Sequence, residues 1–163
     1  MLLSFSACSA AVCAGEITPI EIQLSQLNDS QAVVTLIAAG NTLHLSLSDI
    51  EKLPKYQATL KTFWGMSGTF QGVLMRDLIK HYHLRKGTKR LILRGSNGYV
   101  AGLSLREFDK SPALLATRIN GQPISPEDRG PLILIWPKKE AAALQGTATL
   151  SSWVWSISEI STQ

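Results

Sequence analysis

Phe70-Gln71-Gly72-Val73-Leu74-Met75-Arg76-Asp77-Leu78-Ile79 decides the fold, because its apolar period changes halfway along. Residues 68–73 run as a strand. From Val73 onward, Val73, Leu74, Leu78, Ile79 and Tyr82 share one face at helical spacing. A strand therefore feeds a helix with no linker between them. Gly87 closes that helix, and His81, His83 and Arg85 near its end complement the negative pole of the helix dipole.

Outward from this junction the chain reads as short strands and turns. Upstream, residues 20–24, 32–37 and 42–47 alternate or run apolar, with Asn28-Asp29 and Gly40-Asn41 as turn signals between them. Ser48-Asp49 opens a short helical turn that Pro54 ends. Downstream, residues 89–93 and 99–103 flank Ser96-Asn97-Gly98, a hairpin signal because Asn-Gly tolerates positive φ. Ser104 and Glu107 have the spacing of a capping box, which predicts a short helix there. Asn120-Gly121 marks a second hairpin, between residues 113–119 and 122–124. Residues 132–136 form a buried strand entered through Asp128-Arg129-Gly130-Pro131. A polar, alanine-rich loop follows, and residues 153–160 alternate as a last strand with Trp153, Trp155 and Ile157 on one face. The sum is a mixed α+β domain, mainly β with short inserted helices.

Residues 2–12 are almost entirely small or apolar, and no charge precedes Glu16. A bilayer span needs about 20 apolar residues, so this run is too short to be one. It fits the apolar region of a secretory signal, and Val12 and Ala14 supply the small residues expected before a cleavage site. No Lys or Arg precedes the run, so the signal is atypical or the true start lies upstream. The expectation is a signal peptide over residues 1–14 and one periplasmic domain over residues 15–163. Both cysteines, Cys8 and Cys13, fall within that signal. Residues 15–163 therefore offer no disulfide, thiolate nucleophile or thiolate metal ligand. The formal net charge is +4. Apart from a cluster over residues 80–94 the cations are dispersed, without the basic stripe and interleaved aromatics of a nucleic-acid binder.

Sequence alone gives no catalytic constellation; paired carboxylates stay open as an alternative, with Glu127 and Asp128 reading as loop residues. His81 and His83 stand two apart on a helix and face different ways, and His44 is alone in a strand, so the histidines do not form a metal-ligand set. There is no Gly-x-Ser-x-Gly elbow and no glycine-rich phosphate loop. What stands out is tryptophan and arginine near loops. Trp153 and Trp155 read as core. Trp64, beside Gly65, and Trp136, beside Pro137, sit at strand ends, where an indole either walls a pocket or closes the core.

The stretch at residues 70–79, then Ser96-Asn97-Gly98-Tyr99, then residues 115–125, then Asp128-Arg129-Gly130-Pro131 and residues 132–137, and a closing Trp-Val-Trp-Ser-Ile, occur in this order over most of the chain. Together they resemble the molybdopterin-binding domain of the sulfite oxidase superfamily. In the enzymes of that superfamily a cysteine thiolate shortly before the Phe-x-Gly-Val stretch binds molybdenum. Here residues 58–64 contain no sulfur, and the hydroxyl of Thr62 is a poor substitute for a soft thiolate. The resemblance therefore implies the fold and a pterin cleft without the molybdenum. It looks closer still to the small periplasmic PruR-like proteins, which bind reduced pterins and signal to a membrane-bound enzyme of cyclic-di-GMP metabolism. It implies an aromatic wall of Trp64 and Trp136, a polar turn of Ser96, Asn97 and Tyr99, and donors from Arg129, Gly130 and Lys138. The alternatives are a molybdopterin-dependent oxidoreductase, or a component of one, and a structural domain with an emptied cleft.

Overall fold

The structure, a computed structural model, describes residues 18–163. The signal-peptide expectation at residues 1–14 lies outside the described residues. Strands β1 (Ile20–Ile22), β2 (Ala32–Ala38) and β3 (Asn41–Ser46) lead to a single helical turn, α1 (Leu47–Ile50). Next come β4 (Lys55–Lys61), β5 (Ser67–Leu74), α2 (Met75–His81), β6 (Arg90–Gly95), β7 (Val100–Ser104) and α3 (Leu105–Lys110). The chain ends with β8 (Leu114–Ile119), β9 (Gln122–Pro123), β10 (Ile133–Ile135), α4 (Glu140–Leu144) and β11 (Ile157–Thr162). The protein is thus mainly β with a few short helices.

Two sheets carry the strands. One runs β1-β4-β5-β8-β10, with β9 on β8, and every pairing in it is antiparallel. The other runs β3-β2-β11-β6-β7. The C-terminal strand β11 enters its middle, parallel to β2 and antiparallel to β6. One continuous apolar core draws on both sheets, with Val34, Leu36, Leu91 and Leu93 from one and Phe70, Val73, Leu115 and Leu134 from the other. Strand β6 alternates as its sequence requires, with Leu91 and Leu93 inside and Arg90 and Arg94 outside.

The strand-to-helix junction is observed, one residue later than the apolar period implies. Val73 and Leu74 still pair with β8, and Leu74 is the N-cap of α2. That helix ends at His81, and turns carry the chain on to Gly87. Ser46, not Ser48, caps α1, in a reciprocal capping box with Asp49. The expected box between Ser104 and Glu107 is present on α3. Two expectations are corrected. The alanine-rich segment is the helix α4, not a loop. The last strand begins at Ile157: Ser156 has φ +52, which breaks the extended alternation and leaves Trp153 and Trp155 outside it.

A buried ion pair ties the N-terminal segment to the first sheet. Arg118 Nε donates to Glu51 Oε1 at 2.9 Å, and Arg118 Nη2 pairs with Glu51 Oε2. Thr117 Oγ1 donates to the same carboxylate at 2.6 Å, and Arg118 Nη2 reaches Ser25 O at 2.7 Å. Removing one member of such a pair leaves a buried charge without its counter-ion. Arg118→Met is expected to cost about 3–5 kcal/mol in denaturant unfolding, and adding Glu51→Leu should restore most of that loss.

Candidate functional site

The site is built on three turns. The first joins β4 to β5. Thr62 N–H donates to Met66 O at 2.8 Å, Thr62 Oγ1 donates to the same carbonyl at 3.1 Å, and Met66 N–H donates to Thr62 Oγ1 at 3.0 Å. Thr62 is fully buried, and its hydroxyl is committed to closing this loop. The closed loop presents Phe63 and Trp64 at its tip, with ring centroids 4.8 Å apart and nearly perpendicular.

The second turn is residues 153–156, which meets that tip. Trp64 lies 6.0 Å from Trp153 and 5.0 Å from Trp155, and Phe63 contacts both. Trp153 is buried, whereas Trp64 and Trp155 are half-buried. Trp155 was expected in the core. It stands instead on the rim, because the break at Ser156 turns it out of the strand register. Two polar atoms stand out: Trp64 Nε1 and Trp153 Nε1 are buried donors without a hydrogen-bond partner among the described residues. A buried donor left unpaired carries a desolvation cost of about 1–3 kcal/mol.

The third turn supplies the cation. Ser125 caps a 3-10 turn at Pro126–Asp128, after which Arg129 adopts φ +69. Gly130 N–H donates to Ser125 O at 2.8 Å, and a Cβ on Gly130 would stand 2.0 Å from Ile124 O. Only glycine permits this approach. Arg129 O accepts from Ser156 N at 2.7 Å and from Ser156 Oγ at 3.2 Å, which joins this turn to the second. The Arg129 guanidinium consequently lies 4.6 Å from the Trp155 ring centroid and 6.0 Å from that of Trp64. Each such contact contributes about 0.5–2 kcal/mol, more where water is excluded.

The hairpin residues reach the same rim through the backbone. Ser96 N–H donates to Ser156 O at 2.8 Å, and Asn97 Oδ1 accepts from Tyr99 N–H at 3.0 Å. Tyr99 OH donates to Ser151 O at 2.8 Å, just ahead of Trp153. Trp64, Ser96, Asn97, Tyr99, Arg129 and Gly130 are therefore connected, and Phe63 and Trp155 join them unforeseen.

Trp136 is a correction. It has no exposed surface, it stacks on Phe108 at 5.3 Å, and its Nε1 donates to Ser152 O at 2.8 Å. A fully enclosed indole offers no face to a ligand, so Trp136 belongs to the core. Lys139 Nζ lies 3.9 Å from its ring centroid, and burial pulls the Lys139 pKa below the ordinary lysine range. The side chain meeting this indole is thus Lys139. Lys138 is half-buried beside it on the same 3-10 turn, Pro137–Lys139, and has a partner within the chain.

The residues present were tested against a molybdenum–pterin group. A planar heteroaromatic ring fits a rim of two half-exposed indoles, a guanidinium and an unpaired indole N–H. The metal does not fit. The described residues contain no cysteine, Thr62 is engaged in its own loop, and no group of three or more His, Cys, Asp or Glu among the described residues is placed to hold an ion.

Comparison with known proteins agrees with the fold. A region of 98 residues, 57% of this chain, is 29% identical to "Uncharacterized oxidoreductase YuiH" of Bacillus subtilis (strain 168) and covers 50% of that protein. The chain thus spans about half the length of this relative. The profile of the oxidoreductase molybdopterin-binding domain matches residues 16–145, which include the Thr62–Met66 loop, the Ser96–Tyr99 hairpin and the Arg129 turn. The chain belongs to the oxidoreductase molybdopterin-binding domain family.

Proposed function

We propose that this chain is a non-catalytic pterin-binding protein that works in the periplasm and relays pterin state to a membrane-bound cyclic-di-GMP enzyme. The observation that carries the reading is a division within the site. A member of a molybdopterin-binding family keeps an aromatic and cationic rim suited to the pterin, while its described residues lack the sulfur donor suited to the metal. In this reading the pterin stacks on the open face of Trp64 or Trp155. Arg129 donates to its carbonyl edge. Phe63 and Trp153 support the indoles from below.

A second reading, a molybdopterin-dependent oxidoreductase or a component of one, is favoured by the family itself. It requires a metal ligand from outside the described residues or from a partner. Elemental analysis separates the two. The sensor reading expects no stoichiometric molybdenum in protein isolated from its own cells, and about one per chain would establish the oxidoreductase reading.

Ligand binding is tested by tryptophan fluorescence. A reduced pterin is expected to quench emission saturably. Trp64→Ala or Trp155→Ala should weaken binding by about 1–3 kcal/mol, by analogy with base–aromatic stacking. Unchanged affinity in both variants, each folded, would return these indoles to a structural role.

The relay requires coupling. A ligand shifts an association only if it binds the free and partnered forms with different affinity, and partner and pterin then alter each other's affinity by the same factor. Titration of the partner's periplasmic domain with this protein, with and without pterin, should give two different dissociation constants. Equal constants, or no binding in either case, would reject the relay.

A further inference from the structure

Away from the aromatic rim, two adjoining grooves meet at Arg85. The first, of about 610 Å³, runs along α2 and is lined by Arg76, Asp77, Lys80, Arg85, Lys86 and Asp109, with His83 and Ile79. The second, of about 570 Å³, is lined by Arg85, Lys89 and Arg106, with Thr88, Ser104 and Leu105. Neither lining includes Trp64, Arg129 or Trp155.

Their charge is lopsided. Together the grooves hold six lysines and arginines against two carboxylates, a local balance of +4. The whole chain has 16 basic and 12 acidic residues, also +4, so the ten of each that remain cancel. The two linings therefore carry a surplus as large as that of the whole sequence. Asp109 pairs with Arg85, and Asp77 lies 4.0 Å from Arg76, its Oδ2 buried without a hydrogen-bond partner among the described residues. Lys86, Lys89 and Arg106 are exposed and form no ion pair among the described residues.

The distribution of these cations selects among anions. They are divided between two adjoining grooves that share Arg85. The N-terminus of α3, at the second groove, is already capped by Ser104 and carries Glu107, so a compact phosphate finds no ready cluster of backbone donors there. A lipid surface would call for apolar side chains beside the cations. The exposed large apolar residues, Ile20, Leu43, Tyr99, Val100 and Leu144, line neither groove. An extended acidic chain places a side chain every ~3.3 Å, and so can carry charges along both grooves.

We propose that the two grooves form a docking face for an acidic polypeptide segment of a partner protein. This adds a partner chemistry to the relay reading and rests on it only for which protein supplies the segment. The test uses a labelled peptide of alternating Glu and Ser and fluorescence anisotropy. The peptide binds at about 20 mM salt and weakens about tenfold or more near 300 mM, as screening requires. Lys86→Glu with Lys89→Glu lowers the affinity about tenfold or more. Lys52→Glu with Lys61→Glu, a pair of the same net charge that lines neither groove, leaves it within about twofold. Absence of peptide binding, or an equal loss in the two double variants, overturns the proposal. So does binding of phosphatidylglycerol vesicles, or of inorganic phosphate, through Lys86 and Lys89 where the peptide fails. Pterin quenching is expected to be unchanged in the Lys86→Glu and Lys89→Glu double variant, so failure of the groove and failure of the rim are read separately.

Discussion

The approach of Gly130 to the backbone of Ile124 is the constraint on which the site depends. A Cβ would lie 2.0 Å from Ile124 O, well inside contact distance, so the position admits no side chain. Because Gly130 fits there, Ser125 O accepts its N–H and the turn closes. Arg129 is then held with φ +69, and its carbonyl takes two hydrogen bonds from Ser156. Those bonds fix the corner before β11, and that corner sets Trp155 beneath the guanidinium. A single steric fact at Gly130 is thereby converted into the position of a cation over an aromatic face.

The two sheets hold this corner from both sides. The 153–156 turn lies between β10, which it meets through an antiparallel bridge from Val154 to Leu134, and β11, in the middle of the second sheet. The Thr62–Met66 loop extends from the hairpin of β4 and β5 in the first sheet and brings Phe63 and Trp64 to the same place. The rim is thus assembled from segments far apart in sequence. Each is anchored by backbone hydrogen bonds, so its geometry is set before any ligand arrives. Preorganised donors and flat apolar walls of this kind lower the ordering cost of binding a rigid planar molecule. The cation-lined grooves share no lining residue with this rim, which leaves ligand binding and partner binding open to separate surfaces.

Local chemistry made part of this legible in the sequence. The Asn97-Gly98 hairpin, the Ser104–Glu107 capping box and the β5-to-α2 junction are short-range patterns, and each is present. Trp64 stood out because Gly65 beside it marks a strand end, and Arg129 was named through the family resemblance. What escaped depends on distant partners. Trp136 resembled Trp64 in its setting, but Phe108 and Ser152, neither a neighbour in sequence, enclose it. Trp155 looked like a strand residue because its neighbours alternate, and nothing local announces the positive φ of Ser156. The Glu51–Arg118 pair joins residues 67 positions apart, a separation no periodicity can span.

The central claim is that the indole rim, and not the buried Trp136, meets a planar pterin. The most direct measurement follows the indole N–H resonances of the four tryptophans while the protein is titrated with a reduced pterin. Ring-current effects act only at close range. The account expects saturable shifts at Trp64 and Trp155 and an unmoved signal from Trp136. Shifts confined to Trp136, or no saturable shift at any of the four, would contradict it.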